Sequence, residues 1–111
     1  MTIPELASVG AGQAVVRLPE LDNVAITRRV ARVIDHPHFQ RLRRVRQLGP
    51  TAWVYPGATH TRFEHSLGVY GTTTRYLNAL LGHGHVRDGL EEEDLRTALM
   101  AALLHDVGHY P

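Results

Sequence analysis

Residues 61–81 have the sequence TRFEHSLGVYGTTTRYLNALL and predict the longest helix of the chain. Thr61 followed three residues later by Glu64 is the capping-box pattern, in which the threonine side chain accepts a hydrogen bond from a backbone N–H at the helix start. Gly82 is typical of the residue at which a helix ends. Because this helix begins next to Thr61, His65 is expected in its first turn.

Two shorter helices are predicted before the long one. Thr27 is a good N-cap, and apolar residues recur at helical spacing after it until Pro37 stops that helix and opens another. The second helix is expected over about residues 38–48, with Gly49 as its C-cap. Residues 52–55 are β-prone but lie between prolines, which predicts a short extended connector.

The two ends of the chain differ in pattern. Residues 91–94 are four consecutive carboxylates that suit the positive end of a final helix, which is expected to run to His105. Residues 1–22 contain prolines and glycines with little periodicity, and predict an N-terminal arm with a short extended piece over 14–18. The sum of the pattern is an all-α helical bundle.

Composition restricts the function further. The 111 residues can bury one core, and 12 Lys+Arg against 11 Asp+Glu leave the chain near neutral, which does not favour nucleic acid as a partner. The chain has no cysteine, so any metal must be held by imidazole and carboxylate. The longest apolar run, 98–104, is too short to span a bilayer, and no signal-peptide pattern is present. We therefore expect a cytoplasmic protein with no membrane contact.

Residues 103–109, LLHDVGH, indicate a metal site. Adjacent helical residues project about 100° apart, so His105 and Asp106 can hold one ion together only near a helix end, and Gly108 supplies such an end. These ligands suit Mn, Mg, Fe, Zn, Co or Ni, and residue types do not choose among them. The alternative is that His65 and His105 are ordinary buried histidines bonded to backbone. An unpaired carboxylate directly after two leucines favours the metal.

A metal in this position predicts phosphate hydrolysis. The ion would act as a Lewis acid on a phosphoryl oxygen and lower the pKa of a bound water toward ~7. Arg62, one turn before His65, can neutralise phosphate charge in the transition state. His109 can donate a proton or a hydrogen bond to a phosphate oxygen.

Three blocks of the chain together resemble a known family. They are IDHPHFQRLRRVRQLG over residues 34–49, VYPGATHTRFEHSLGV over 54–69, and LLHDVGH over 103–109. The blocks and their spacing resemble the HD-domain metal-dependent phosphohydrolases of the deoxynucleoside triphosphate triphosphohydrolase type. The resemblance implies that residues 23–111 form the N-terminal part of an HD domain, an all-α bundle that is incomplete at its C-terminus.

The resemblance implies a role for each matching residue around the metal. His65 would be the first metal ligand, and His105 and Asp106 would be the second and third. Arg62 and His109 would contact the phosphates of the substrate near the metal.

The resemblance also implies nucleotide contacts in the first block. Gln47 and Leu48 match the segment that meets the deoxyribose of the substrate. Asp35, Gln40 and Arg43 match positions that bind a regulatory guanine nucleotide in some members. The alternatives are that Asp35 is an N-cap for the next helix and that Arg43 lies on a solvated face.

Two departures from the family pattern shape the expectations. The family's Asp-Pro-x-His-Gly motif is absent, since residues 18–22 are LPELD, and its fourth metal ligand is an aspartate far downstream of the HD pair. We therefore expect the chain to be the N-terminal part of a longer enzyme, or a truncated copy without efficient turnover. Its final helix would then lack partners, so four apolar residues would be partly exposed and would promote homo-oligomers or aggregation. They are Leu95, Leu99, Leu103 and Tyr110.

Three classes of function remain open. The leading one is a metal-dependent nucleotide phosphohydrolase, with deoxynucleoside triphosphates as the first substrate class and cyclic or signalling nucleotides as the alternative. The second is a catalytically impaired module that binds nucleotide or metal. The third is a nucleic-acid binder that uses the arginines of residues 28–46. A solvated basic face combined with codon bias explains those arginines better.

Overall fold

The computed structural model describes residues 4–6, 14–17, 23–57, 59–84 and 88–108. Within these residues, four α-helices form the body of the fold: α1 (Arg28–Ile34), α2 (Pro37–Gln40), α3 (Arg62–Leu81) and α4 (Glu92–Leu104). Three short 3-10 helices cover Pro4–Leu6, Arg41–Arg44 and Gly49–Trp53. The predicted all-α class is confirmed for this body.

A small antiparallel ribbon precedes the helices. Strand β1 (Ala14–Arg17) pairs with β2 (Asn23–Ile26), and Ala14 lies opposite Ile26. The extended piece predicted over residues 14–18 is therefore present, whereas β2 was not predicted. The ribbon joins residues on both sides of position 22, and the division of the chain there stays a proposal.

Local capping signals set the helix boundaries. Thr27 accepts a hydrogen bond from the backbone N–H of Val30 at the start of α1, at 3.3 Å. Thr61 does the same for the N–H of Glu64 at 3.2 Å, and α3 then runs for 20 residues to the C-cap Gly82. These boundaries were predicted because each signal acts within one turn of the chain.

The single helix predicted over residues 38–48 is wrong. Helix α2 ends at Gln40, a 3-10 turn follows, and Val45 is extended with φ −110° and ψ 114°. The Val45 carbonyl accepts from the N–H of Arg62 at 2.7 Å, and the N–H of Gln47 donates to the carbonyl of His60 at 3.1 Å. This pairing with the start of α3 replaces the hydrogen bonds of a helix.

The connector over residues 52–55 also differs from the prediction. Gly49 does not end a helix; it has a φ of +55° and begins the 3-10 helix Gly49–Trp53. Pro50 fixes a φ suited to a first helical turn, so a turn is favoured over an extended segment.

The core forms between α3 and α4. The α3 residues Leu67 and Tyr70 and the α4 residues Leu95, Leu99 and Leu103 are at most 1% exposed. The predicted exposure of the three α4 leucines is therefore wrong, because α3 covers the apolar face of α4; Tyr110 lies outside the described residues. No helix in the described part of the chain is long and apolar enough to cross a membrane.

Candidate metal centre

The packing of α3 against α4 brings the predicted metal ligands together. His65 lies in the first turn of α3, and His105 and Asp106 follow directly after the last residue of α4. One nitrogen from each histidine and one oxygen of Asp106 all lie within 4.8 Å of one another. Residues separated by about forty positions in the chain thus form one cluster.

The two histidines converge on one carboxylate oxygen. Asp106 Oδ2 lies 3.5 Å from His105 Nε2 and 4.0 Å from His65 Nε2. The centroids of the two imidazole rings are 5.3 Å apart and the rings are inclined by 71°, so the pair is T-shaped rather than stacked. The side chains of His65 and His105 remain 35% and 39% exposed, which leaves the cluster accessible from solvent.

A backbone contact orients His105. Its Nδ1 lies 2.8 Å from the carbonyl oxygen of Ala102, where it can donate when it carries the proton. That proton position leaves the Nε2 lone pair toward Asp106. The backbone-bonded histidine of the alternative interpretation is therefore present, but the same contact also prepares the other nitrogen to bind a metal.

Two of the three ligand pairs in the cluster are close enough to share a divalent ion. Two ligands that each lie about 2.1 Å from one ion are at most about 4.2 Å apart. Both distances between Asp106 Oδ2 and the histidine nitrogens, 3.5 and 4.0 Å, are within this limit. Two imidazole nitrogens and one carboxylate oxygen suit several divalent metals.

Arg62 places a positive charge beside these ligands. Its Nη1 donates to Asp106 Oδ2 at 3.1 Å, and both side chains are only 16% exposed. The Nε of Arg62 is buried and has no hydrogen-bond partner in the part of the chain that the structure describes. The guanidinium therefore has donor capacity that the carboxylate does not use.

The residues predicted to meet the sugar lie near this arginine. Gln47 is paired through its backbone with His60, two residues before Arg62. The Oε1 of Gln47 is buried and has no partner among the described residues, whereas Leu48 is 48% exposed. Their contact with a sugar stays a prediction.

The residues predicted to bind a regulatory nucleotide lie together. Arg43 Nε donates to Gln40 Oε1 at 2.7 Å, and Gln40 Nε2 donates to the carbonyl of Ile34 at 2.8 Å. The Arg43 guanidinium also lies 3.9 Å above the ring centre of Phe63, so it is more than a solvated charge. Asp35 is the C-cap of α1, and the N-cap alternative for it is wrong.

The comparisons with known proteins agree with this geometry. The "HD domain" family model matches residues 62–111. Human "Deoxynucleoside triphosphate triphosphohydrolase SAMHD1" is 46% identical over 82 residues, which are 74% of this chain and 13% of the human protein. Residues 62–111 of the chain are therefore similar to the HD domain.

Other proteins match a similar share of the chain. The protein of the same name from Danio rerio is 45% identical over 78 residues, or 70% of this chain and 12% of its own length. "Uncharacterized protein YwfO" of Bacillus subtilis is 48% identical over 79 residues, or 71% of this chain and 18% of its own length. The chain thus spans less than a fifth of each of these relatives.

One contact beside the candidate ligands could not be predicted from the sequence. Arg41 Nη2 donates to the carbonyl of Val107 at 2.9 Å, one residue after Asp106. Four arginines lie within residues 41–46, and no feature of the sequence separates this one from its neighbours. His109, the predicted proton donor, lies outside the described residues.

Proposed function

We propose that this chain supplies three ligands of a divalent metal centre in a phosphohydrolase that acts on nucleotides. The leading reaction is hydrolysis of a deoxynucleoside triphosphate to the deoxynucleoside and triphosphate. The observation that carries the proposal is the convergence of His65 Nε2 and His105 Nε2 on Asp106 Oδ2. The human relative, 46% identical over 82 residues, is named as a deoxynucleoside triphosphate triphosphohydrolase, which supports the substrate class.

The protein's own residues divide the work around the ion. A bound divalent ion would supply Lewis-acid activation of a phosphoryl group. Arg62 holds Asp106 with one nitrogen, and its remaining donors can neutralise charge on a phosphate beside the ligands. His109 would donate a hydrogen bond or a proton to a phosphate oxygen. Gln47 and Leu48 would contact the deoxyribose.

A regulatory role for the first block is a second part of the proposal. Arg43 and Gln40 are already hydrogen bonded to each other, so a guanine nucleotide would have to extend or replace this contact. The carboxylate of Asp35 is exposed and can accept from the guanine edge. Titration of GTP and dGTP into the wild-type chain and Arg43→Ala tests the site, and equal affinities would remove it.

Two alternatives compete with the leading reaction. The three ligands do not distinguish bases or sugars, so a cyclic or signalling nucleotide is an alternative substrate. The metal cluster of the described residues has three members, which favours a module that binds metal or nucleotide without turnover as the other candidate.

The test is hydrolysis of a panel of deoxynucleoside, ribonucleoside and cyclic nucleotides with Mn²⁺ or Mg²⁺. Released triphosphate and phosphate are resolved by ion chromatography. His105→Ala and Asp106→Ala remove ligands, and Arg75→Ala is the matched control because Arg75 is an exposed residue of α3. Mn²⁺ affinity is measured on the same samples by calorimetry.

Each outcome selects one candidate. Triphosphate release that is lost in both ligand variants and kept in Arg75→Ala supports the leading reaction. Hydrolysis of cyclic nucleotides alone supports the alternative substrate. Mn²⁺ binding without hydrolysis supports the binding module, and the absence of both removes the proposed site.

A further inference from the structure

We infer that Arg41 is a positioning residue that holds the turn bearing Asp106 in the geometry needed for metal binding. The inference rests on the metal centre proposed above. Its direct observation is the 2.9 Å hydrogen bond from Arg41 Nη2 to the carbonyl of Val107. The contact joins residues that are 66 positions apart.

The turn after α4 needs such a partner. The last carbonyls of a helix have no acceptor role within the helix, and they form the negative end of its dipole. Val107 N–H donates to the carbonyl of Leu104 at 3.1 Å, which closes the turn on one side. Arg41 donates to the carbonyl of Val107, three residues beyond the last residue of α4, and brings a positive charge close to this negative end.

Arg41 is itself anchored to the other part of the ligand set. It belongs to the 3-10 turn Arg41–Arg44, in which Leu42 is completely buried. Immediately after that turn, the Val45 carbonyl accepts from the N–H of Arg62 at 2.7 Å, at the start of the helix that bears His65. The segment therefore contacts both the start of α3 and the turn after α4.

The consequence concerns the distance between ligands. His65 is placed by α3, whereas Asp106 lies on a turn beyond the regular hydrogen bonding of α4. Without the Arg41 contact, the turn is held by the hydrogen bond from Val107 N–H to Leu104 and by the packing of Val107. We then expect Asp106 Oδ2 to shift more readily from its position 4.0 Å from His65 Nε2. Groups that orient metal ligands in this way typically contribute about 10-fold or more to metal affinity.

The experiment compares four proteins: the wild-type chain, Arg41→Gln, Arg41→Lys and Arg44→Gln. Arg44 is the matched control because it is an exposed arginine of the same 3-10 turn. Two readouts are taken: hydrogen exchange of the amides of residues 105–108 without metal, and Mn²⁺ affinity by calorimetry. Circular dichroism and thermal melting monitor the fold.

The expected result is selective. Arg41→Gln exchanges faster at residues 105–108 and binds Mn²⁺ about 10-fold more weakly, with a melting temperature close to that of the wild type. Arg41→Lys retains a charged donor, so its exchange rate and its Mn²⁺ affinity lie between those of Arg41→Gln and the wild type. Arg44→Gln matches the wild type in both readouts. A mere packing role for Arg41 would instead change melting and exchange throughout the fold.

Three results overturn the inference: unchanged exchange at residues 105–108 in Arg41→Gln, an equal change in Arg44→Gln, or Arg41→Lys no better than Arg41→Gln. If Arg41→Gln does not fold, local exchange in Arg41→Lys against the wild type decides. If the wild-type chain binds no Mn²⁺, the metal centre fails, while the exchange data still test the Arg41 contact.

Discussion

Two ion pairs between an arginine and a carboxylate differ in how completely the carboxylate is hydrogen bonded. Asp106 faces Arg62 at the proposed metal centre, and Glu5 faces Arg29 beside α1. Arg62 contacts Asp106 through one nitrogen, and the same carboxylate oxygen also faces two histidines. Glu5 instead is enclosed by partners on both oxygens.

The Glu5 pair is fully satisfied. Glu5 Oε2 accepts from Thr27 Oγ1 and from Arg29 Nε, its Oε1 accepts from Arg29 Nη2, and its side chain is only 3% exposed. Burial raises the pKa of Glu5, but the hydrogen bonds from Arg29 and Thr27 outweigh it, so the pKa lies below its ordinary value of 4.5. The same pair raises the pKa of Arg29.

The difference separates a structural pair from the pair that we propose to be functional. A carboxylate whose oxygens are all occupied by fixed donors stabilises the fold and has no capacity for a ligand. Asp106 is 16% exposed and faces two imidazole nitrogens that are not ideal hydrogen-bond partners at 3.5 and 4.0 Å. Incomplete pairing therefore indicates the site where a cation adds the most.

The largest expected effect follows from removing the functional carboxylate. We expect Asp106→Ala to weaken Mn²⁺ binding by more than about 100-fold, because a direct ligand contributes more than a residue that orients it. Calorimetric titration measures the change. Glu5→Gln is the control and should bind Mn²⁺ as the wild type does; a similar loss in both would erase the distinction between the pairs.

The next effect is on stability. Glu5→Gln leaves Arg29 without its charged partner and should lower the free energy of unfolding by about 2 kcal/mol, the scale of hydrogen bonds to charged groups. Asp106→Asn in the absence of metal should cost less, about 1 kcal/mol, because the amide oxygen can still accept a hydrogen bond from Arg62. Urea unfolding of the wild type, Glu5→Gln and Asp106→Asn measures these changes. Equal losses of unfolding free energy in the two variants would contradict the proposed difference between the two ion pairs.

The pH dependence sharpens the same contrast. Because the pKa of Glu5 is lowered in the folded state, its contribution to stability is fully present above its ordinary value of 4.5 and is lost as the pH falls through the lowered folded value. The stability difference between wild type and Glu5→Gln should therefore shrink from pH 7 toward acid. Urea midpoints across this range measure it, and a constant difference would reject the ionised pair.

The smallest effect concerns a third pair, on the surface of α4. Arg96 Nη2 donates to Glu92 Oε1 at 2.6 Å, but the two side chains are 47% and 36% exposed. We expect Arg96→Gln to change the free energy of unfolding by at most about 0.5 kcal/mol. A loss comparable to that in Glu5→Gln would show that burial does not separate these pairs.

Local signals explain the predictions that were confirmed. The caps Thr27, Thr61 and Gly82 act through backbone groups within one turn, so the neighbouring sequence is sufficient. The helix predicted over residues 38–48 failed because Arg62, far along the chain, donates to the Val45 carbonyl. The pattern of apolar residues gives no information about a hydrogen bond with a distant backbone group.

The side-chain contacts also divide into features that the local sequence predicts and features that it does not. The ligand types and their closeness to helix ends were evident from His65, His105 and Asp106 in the sequence. The partner of Glu5 was not, since nothing near Glu5 in the chain indicates Arg29, 24 positions away. The difference between Arg41 and Arg44 was equally hidden, because both follow the same local pattern.

The sequence by itself determined the starts of α1 and α3 and the family to which the blocks of residues 34–109 are similar. It also placed the proposed metal ligands at the start of α3 and at the end of α4. Only the tertiary structure decided that the ligand atoms meet on Asp106 Oδ2, that Glu5 is saturated by Arg29, and that Arg41 reaches the turn beyond α4. The physical reason is the distance along the chain over which each interaction acts. Helix caps act within a few residues, whereas distances between distant side chains are set by the packing of α3 against α4.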